Sequence, residues 1–281
     1  MPTLPFVATI HGRRAGYGAA QGEGALARTR PAMNPAAPGA LLGAGKEARV
    51  HAWGDRAIKL YNAGGSKHRP FREAAILAFA ESLGLPVPAV HEVTQIDGRW
   101  AIVMDRIGGT SLADTIRRDP QTLSDHLARM ATLHRSVHAQ DATPLGGLRQ
   151  RLAANIRTAP GLANGDRRRL LTGLRGLPDG DRLCHGDFHP GNILGDPQHP
   201  IIVDWLDATR GDPLADVCRS YVLMQPVAPD LASAYVAAYC AAAGCAREDV
   251  QRWLPFVAAA RLAENVPDQT DALLDMASTV R

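Results

Sequence analysis

Cysteine is scarce in this chain of 281 residues: there are four, Cys184, Cys218, Cys240 and Cys245. None forms Cys-x-x-Cys and no histidine follows at a finger spacing, which argues against a structural zinc site and against a disulfide framework. A reduced, cytoplasmic setting is expected. Long apolar runs are missing too. None approaches the roughly 20 residues of a membrane span, and the first residues have no long apolar region after a basic one, so no secretory signal is expected. Charge of one sign is lacking: Lys and Arg total 31 and Asp and Glu 28, a formal net charge of +3. That balance gives no electrostatic case for nucleic acid or a membrane as partner. Lysine itself is nearly absent, with Lys46, Lys59 and Lys67 the whole complement, the other basic residues being arginine.

What is present is a globular composition. Hydrophobic residues make up 46% and charged residues 21%, which excludes a mostly disordered chain. The length fits one large domain or two modest ones. Residues 1–33 carry four arginines, one acid and many glycines without helical or strand period, and are read as a mobile tail. Order is expected from about residue 40. Two β-like runs, 48–53 and 56–61, flank Gly54-Asp55 and predict a hairpin. A helix is expected from Pro70 to Leu83, closed by Gly84 and by Pro86 and Pro88. Strands are expected at 89–93 and 100–104. Beyond Gly108-Gly109 the chain reads mainly helical. Leu123, Leu127, Met130, Leu133 and Val137 step by three and four along one face. Further helices are expected near 146–157, 165–175, 214–224, 230–243, 248–264 and 268–279. A strand-rich region, 34–106, therefore precedes a larger helical one, 107–281.

The densest chemistry lies in His185-Gly186-Asp187-Phe188-His189-Pro190-Gly191-Asn192, followed by Val203-Asp204-Trp205. Asp187 and Asn192 sit in a Gly/Pro-containing loop between apolar segments, a common way to present a carboxylate and an amide oxygen. Asp204 ends the apolar run 201–203, where a carboxylate at the mouth of a buried strand needs a partner. Asn192 and Asp204 together offer two hard oxygen ligands of the kind Mg²⁺ takes while keeping waters and phosphate oxygens. Asp187 would then act on a substrate. Turn chemistry is the plain alternative for any one of these residues alone.

These motifs resemble the catalytic and metal-binding loops of the aminoglycoside phosphotransferase and choline kinase family, small-molecule relatives of the protein kinases. The Asp-x-x-x-x-Asn spacing is that of the kinase catalytic loop, and Asp204 stands where the aspartate of DFG would. The histidine–glycine–aspartate form points to this branch. The resemblance implies an α+β, bilobal, protein-kinase-like fold, with a small antiparallel sheet in the N-terminal lobe and a mainly helical C-terminal lobe. It also implies parts earlier in the chain. Gly43, Gly45 and Val50 fit the glycine-rich loop G-x-G-x-x-G-x-V, except that Ala48 replaces the third glycine. A Walker-type P-loop is excluded, because Ala40 and Glu47 stand where Gly and Ser or Thr are required. Ala57-Ile58-Lys59 matches the end of V-A-I-K, with Ala57 against adenine and Lys59 near the phosphates. Glu73, read in the first turn of the following helix, is the implied partner of Lys59. Met104, Asp105 and Ile107 form the implied adenine-reading hinge. His185, His189 and Asp216 are implied supports of the catalytic loop, Asp216 by accepting hydrogen bonds from its backbone.

The resemblance implies transfer of the γ-phosphoryl group of ATP, with GTP as the alternative nucleotide and Mg²⁺ as cofactor, to a hydroxyl of a small molecule. Asp187 is the implied catalytic residue. Asp207, Glu264 and Asp268 are the expected acceptor contacts, and an acidic C-terminal segment would suit a cationic, aminoglycoside-like acceptor. The alternatives are a choline-, homoserine- or sugar-type metabolite. A protein kinase is disfavoured because no A-P-E segment follows Asp204. An inactive nucleotide-binding relative is disfavoured because Asp187 is present. The expected assembly is a monomer or weak dimer.

Overall fold

In the computed structural model, residues 37–266 and 268–279 are described. The expected tail, 1–33, lies outside them. The chain divides into two units, one running to Ser111 and including 194–203, the other comprising 112–193 and the chain from Asp204 onward.

The first unit is built on strands β1 (Leu41–Ala44), β2 (Ala48–Trp53), β3 (Arg56–Tyr61), β4 (Val90–Ile96) and β5 (Arg99–Asp105), with helix α1 (His68–Ser82) between β3 and β4. The five strands form one sheet in the order β1-β2-β3-β5-β4, every pair antiparallel. β2 and β3 turn at Gly54, whose positive φ of 64° suits a residue without a Cβ. β4 and β5 run further than their sequence pattern indicates, to Ile96 and from Arg99. Asp97 and Gly98 both take positive φ between them, the two-residue hairpin geometry that Asp-Gly favours. Strand alternation gives β3 two faces. Ile58 and Leu60 pack with Trp53, Ala101 and Val103 on one. Tyr61 packs with Ala74 of α1, Ile102 and the partly buried Met104 on the other. A fully buried Ile such as Ile58 contributes about 1.5–3 kcal/mol. α1 begins at His68, two residues before Pro70, so Glu73 lies in its second turn rather than its first.

A short strand, β6 (Thr110–Ser111), closes this part of the first unit. The second unit then opens with α2 (Leu112–Arg118), which the sequence pattern does not announce, and continues with α3 (Leu123–His138), α4 (Leu148–Thr158), α5 (Asn164–Arg175) and β7 (Arg182–Cys184). After a 3₁₀ turn at Pro190–Asn192, strands β8 (Ile193–Asp196) and β9 (His199–Ile202) join β6 in a three-stranded sheet ordered β6-β8-β9. Strand β10 (Thr209–Gly211) pairs antiparallel with β7. Helices α6 (Pro213–Met224), α7 (Pro229–Ala243), α8 (Arg247–Gln251), α9 (Leu254–Arg261) and α10 (Thr270–Ala277) complete the second unit.

Two expectations about these helices need correction. The span 248–264 is not one helix but α8, α9 and a 3₁₀ turn at Leu262–Glu264. Pro255, in the first turn of α9, has no N–H to continue a helix from before it. The buried stripe of α3 also turns relative to the expected one. It carries His126, His134 and His138 beside Leu127, Met130 and Val137, while Leu123 and Leu133 are only half-buried. α3 packs on α7, and α9 packs on α4, α6 and α10 with almost every side chain buried. Among the described residues no helix is long and apolar enough to cross a membrane, and all four cysteines are free thiols.

Candidate functional site

In the first unit, alternation along β3 turns Ala57, Lys59 and Tyr61 to the face that α1 covers. The Lys59 Nζ lies 2.6 Å from Oε1 of Glu73. The Tyr61 hydroxyl donates to the other carboxylate oxygen, Oε2. Glu73 is 1% exposed, and such a carboxylate is tolerable only with partners of this kind. Tyr61 is a member that sequence reasoning missed, two residues beyond Lys59 on the same face. Gly43 lies on β1 opposite Val50 of β2, and the turn that follows is tied by Gly45 N donating to the Ala48 carbonyl at 2.9 Å. Asn62 donates to the Lys46 carbonyl at 2.8 Å. Ala57 pairs with Met104 across β3 and β5. The Asp105 side chain takes His91 at 2.7 Å and the Ala89 amide at 3.3 Å, and Ile107 follows half-buried.

In the second unit, the loop after β7 brings Asp187 and Asn192 into contact. Asn192 Nδ2 donates to the main-chain oxygen and to Oδ2 of Asp187, each at 2.9 Å. Both amide hydrogens are thereby used, and Oδ1 of Asn192 takes no donor among the described residues. The 3₁₀ turn is capped by His189, whose Nδ1 accepts from Gly191 N at 3.1 Å. Its Nε2 then faces Asp187 Oδ2 at 3.7 Å. Burial opposes ionisation of Asp187, but His189, with Arg219 and His185 beyond it, outweighs burial and holds the carboxyl well below the usual carboxylate range. Asp204 follows β9 in a left-handed conformation, φ 65°, and its side chain is exposed. The buried His185 ring feels the charges of Asp216, Asp187 and Asp204 together, yet burial dominates and lowers its pKa. Its Nδ1 accepts from the Asp187 amide at 3.1 Å. Asn192 Oδ1 and the exposed Asp204 carboxylate are hard oxygen donors of the kind that fits Mg²⁺.

Beneath this loop lies Asp216, in the first turn of α6. That helix starts sharply because Asp212 caps it, accepting from Leu214 N at 2.8 Å, and Pro213 suits the first turn. Asp216 Oδ2 accepts from His185 N at 2.6 Å and Oδ1 from Gly186 N at 2.8 Å. Oδ2 also meets Nε2 of His134 at 3.0 Å and of His138 at 3.2 Å. The other ring nitrogens of these histidines meet the hydroxyls of Tyr235 at 2.5 Å and Tyr239 at 2.7 Å. Burial first, then the His138 charge, lowers the His134 pKa from 6.5 to about 3. The neutral ring therefore donates to Asp216 and accepts from Tyr235. His134, His138 and Asp216 also bring three potential metal-ligand atoms within 4.8 Å of one another, but every one of those atoms is already hydrogen-bonded. His134 and Phe188 stack with centroids 3.8 Å apart.

Two arginines that the sequence did not single out hold the loops from the side. Arg219 of α6 donates from Nε to the Gly186 carbonyl at 3.1 Å and pairs through Nη2 with Glu264 at 2.7 Å. Arg151 of α4 donates to the Asp207 carbonyl and meets its carboxylate at 3.3 Å. Glu264 also pairs with Arg261 at 2.9 Å. Asp268 is exposed in a left-handed turn, φ 62°.

The model of the phosphotransferase enzyme family matches residues 41–256. The chain belongs to this family. No curated protein matches this phosphotransferase in sequence. Its fold is the protein-kinase-like one of aminoglycoside phosphotransferases and choline kinases. A thermostable mutant of aminoglycoside phosphotransferase APH(4)-Ia, in ternary complex with ADP and hygromycin B, is similar at a TM-score of 0.63 with 16% identity, over 85% of this chain and 89% of that one. A choline/ethanolamine kinase family protein from Mesorhizobium loti gives a TM-score of 0.57 and 20% identity, over 83% of each chain. Choline kinase LicA from Streptococcus pneumoniae gives 0.59 and 13%, over 86% of this phosphotransferase and 90% of that chain.

Proposed function

We propose that this phosphotransferase moves the terminal phosphoryl group of ATP to a hydroxyl of a small molecule, with Asp187 as the catalytic residue. The observation that carries the reading is the direct contact of Asp187 with Asn192, whose amide nitrogen is spent on Asp187 while its oxygen stays available. Magnesium held by Asn192 and Asp204 supplies neutralisation of the phosphate charge. Lys59, fixed by Glu73, binds the α- and β-phosphates. Gly43, Gly45, Val50 and Ala57 border the nucleotide, and Met104, Asp105 and Ile107 read the base. Asp187 orients the acceptor hydroxyl and accepts its proton as the new oxygen–phosphorus bond forms and the bond to the departing ADP breaks. An ionised, weakly basic carboxylate suits this task, because in a loose transition state placement outweighs basicity. Asp216, His185 and His189 position the loop.

The division of roles is open to test by calorimetric titration with AMP-PNP and by coupled detection of ADP. Asp187→Ala is expected to abolish transfer while keeping Mg²⁺-dependent nucleotide binding within about threefold. Asp204→Ala is expected to lose that binding as well. Equal loss of nucleotide affinity in both variants contradicts the proposal.

A further inference from the structure

Helix α6 turns two side chains toward the loop that carries Asp187. They are Asp216 and, three residues on along the same face, Arg219. Asp216 takes the amide hydrogens of His185 and Gly186. Arg219 takes the next polar group along the backbone, donating from Nε to the Gly186 carbonyl at 3.1 Å. That oxygen and the Asp187 N–H belong to one planar peptide unit. The N–H end is bonded to Nδ1 of His185 at 3.1 Å. The peptide that leads into Asp187 is therefore clamped at both ends.

Arg219 is itself held. Its Nη2 lies 2.7 Å from Oε1 of Glu264, and Oε2 of Glu264 takes Nη1 of Arg261 at 2.9 Å. Arg261 spends Nε and Nη2 on the side-chain oxygen of Gln269, at 3.2 and 3.0 Å. With Arg151 on Asp207, three guanidinium groups stand against the three carboxylates of Asp187, Asp207 and Glu264. The charges balance, and the cluster is complete without a ligand. Burial lowers the Arg219 pKa, but Glu264, Asp187 and Asp207 outweigh it and raise the value above the usual one. The Arg219 and Arg261 side chains are only 12% and 9% exposed, and charge-assisted bonds screened from water fix geometry firmly. The chain of contacts runs from Gln269 through Arg261, Glu264 and Arg219 to Gly186, and ends one residue short of the carboxylate that faces the acceptor.

We infer that Arg219 is a positioning residue for phosphoryl transfer: by holding the Gly186 carbonyl it fixes the peptide that aims the Asp187 carboxylate, and Glu264 and Arg261 act through it. The inference rests on the phosphotransferase reading and deepens it. It gives Glu264 the task of orienting Asp187 in place of touching the acceptor. Misplacing a catalytic group by about 1 Å costs on the order of a hundredfold in rate. The fork matters as well as the charge. Nε and Nη2 of one rigid plane reach two acceptors at once, which an ammonium on a flexible stem does not reproduce.

The test uses the full chain with Mg²⁺ and water as the acceptor probe. The rate read is the part of ADP release from ATP that Asp187→Ala removes. Calorimetry reads AMP-PNP affinity, and hydrogen exchange by mass spectrometry reads the segment 185–192. Arg219→Met is expected to lower kcat at least about tenfold while KM for ATP and AMP-PNP affinity stay within about threefold. Exchange in 185–192 is expected to quicken at least about tenfold under conditions where urea titration shows the chain folded. Arg219→Lys is expected to stay at least about fivefold below the unmodified chain. Glu264→Gln is expected to lower kcat by about three- to tenfold in the unmodified chain and by less than about twofold in Arg219→Met, because it acts through Arg219. Arg167→Met removes a brace of another kind, on the carbonyls of Ile156, Arg157, Ala159 and Leu162. It is expected to lower the urea midpoint and leave kcat and the 185–192 exchange unchanged. Should Arg219→Met fail to fold, Arg219→Lys and Glu264→Gln carry the same readings. Unchanged kcat and exchange in the Arg219 variants overturn the inference. So does full recovery by lysine, a loss that falls on KM for ATP, additive losses from Arg219→Met and Glu264→Gln, or the same loss of kcat in Arg167→Met. An unmodified chain that neither binds AMP-PNP with Mg²⁺ nor releases ADP strikes the phosphotransferase reading instead, which separates the two failures.

Discussion

Gly186 shows how one missing side chain sets the geometry of the site. Its φ is +82°, and a Cβ there would run into the Asp207 carbonyl and come within 2.9 Å of Arg151 Nη2. Protein kinases carry arginine at this point of the motif. Here the backbone of the segment after Asp204 occupies the space that such a side chain needs. Gly186→Ala is expected to lower stability by about 1–3 kcal/mol through backbone strain alone, and to reduce acceptor-stimulated ADP release by more than about a hundredfold by displacing its neighbour Asp187. Urea denaturation and the coupled assay measure the two effects. The contact of Asp187 with Asn192 was legible because it joins residues only five apart along the chain. Arg219 was not, because its partner Glu264 lies 45 residues further on, and a lone arginine in a helix reads as a solvated cation.

At the scale of elements, α3 and α7 meet through a polar ladder within an otherwise apolar contact. His134 and His138 are four residues apart, Tyr235 and Tyr239 likewise, and each His–Tyr pair is separated by 101 residues. Equal steps in the same direction mean that the two helices run parallel here. Tyr235→Phe and Tyr239→Phe each leave a buried ring nitrogen without its donor, at an expected cost of about 1–3 kcal/mol. A double-mutant cycle pairing Tyr239→Phe with His138→Phe is expected to show a coupling above about 0.5 kcal/mol, measured by chemical denaturation. The i, i+4 spacing of these residues was visible in the sequence, but the apolar step of Leu127, Met130 and Val137 drew the helix face by itself. Which helix would answer the histidines depends on a pairing over 101 residues, and local periodicity carries no such information. The strands were easier to read, since alternation and the Gly54-Asp55 turn are local, and Asp97-Gly98 carried the same signal unused.

For the whole molecule, the buried histidines make stability depend on pH. His134 titrates near 3 in the folded chain against 6.5 for the free side chain. Below that value the unfolded chain takes up a proton that the folded one refuses, so stability falls as pH drops from 6.5 toward 3. The slope from this residue approaches about 1.4 kcal/mol per pH unit. His185, lowered by burial, adds to the loss, and Asp216, ionised against burial by its histidine partners, adds more once pH falls below the ordinary carboxylate range. Urea midpoints from pH 7 to about 4.5 measure this, and His134→Gln is expected to flatten the curve. Chain connectivity has a further consequence for engineering. The β8–β9 hairpin belongs with β6, to which Gly195 and Leu194 pair, and Ile202 N bonds the Pro86 carbonyl, yet this hairpin is encoded between Asn192 and Asp204. A chimera that exchanges only the N-terminal stretch would strand it against a foreign edge, so any graft of a relative's first unit must carry both pieces of the gene.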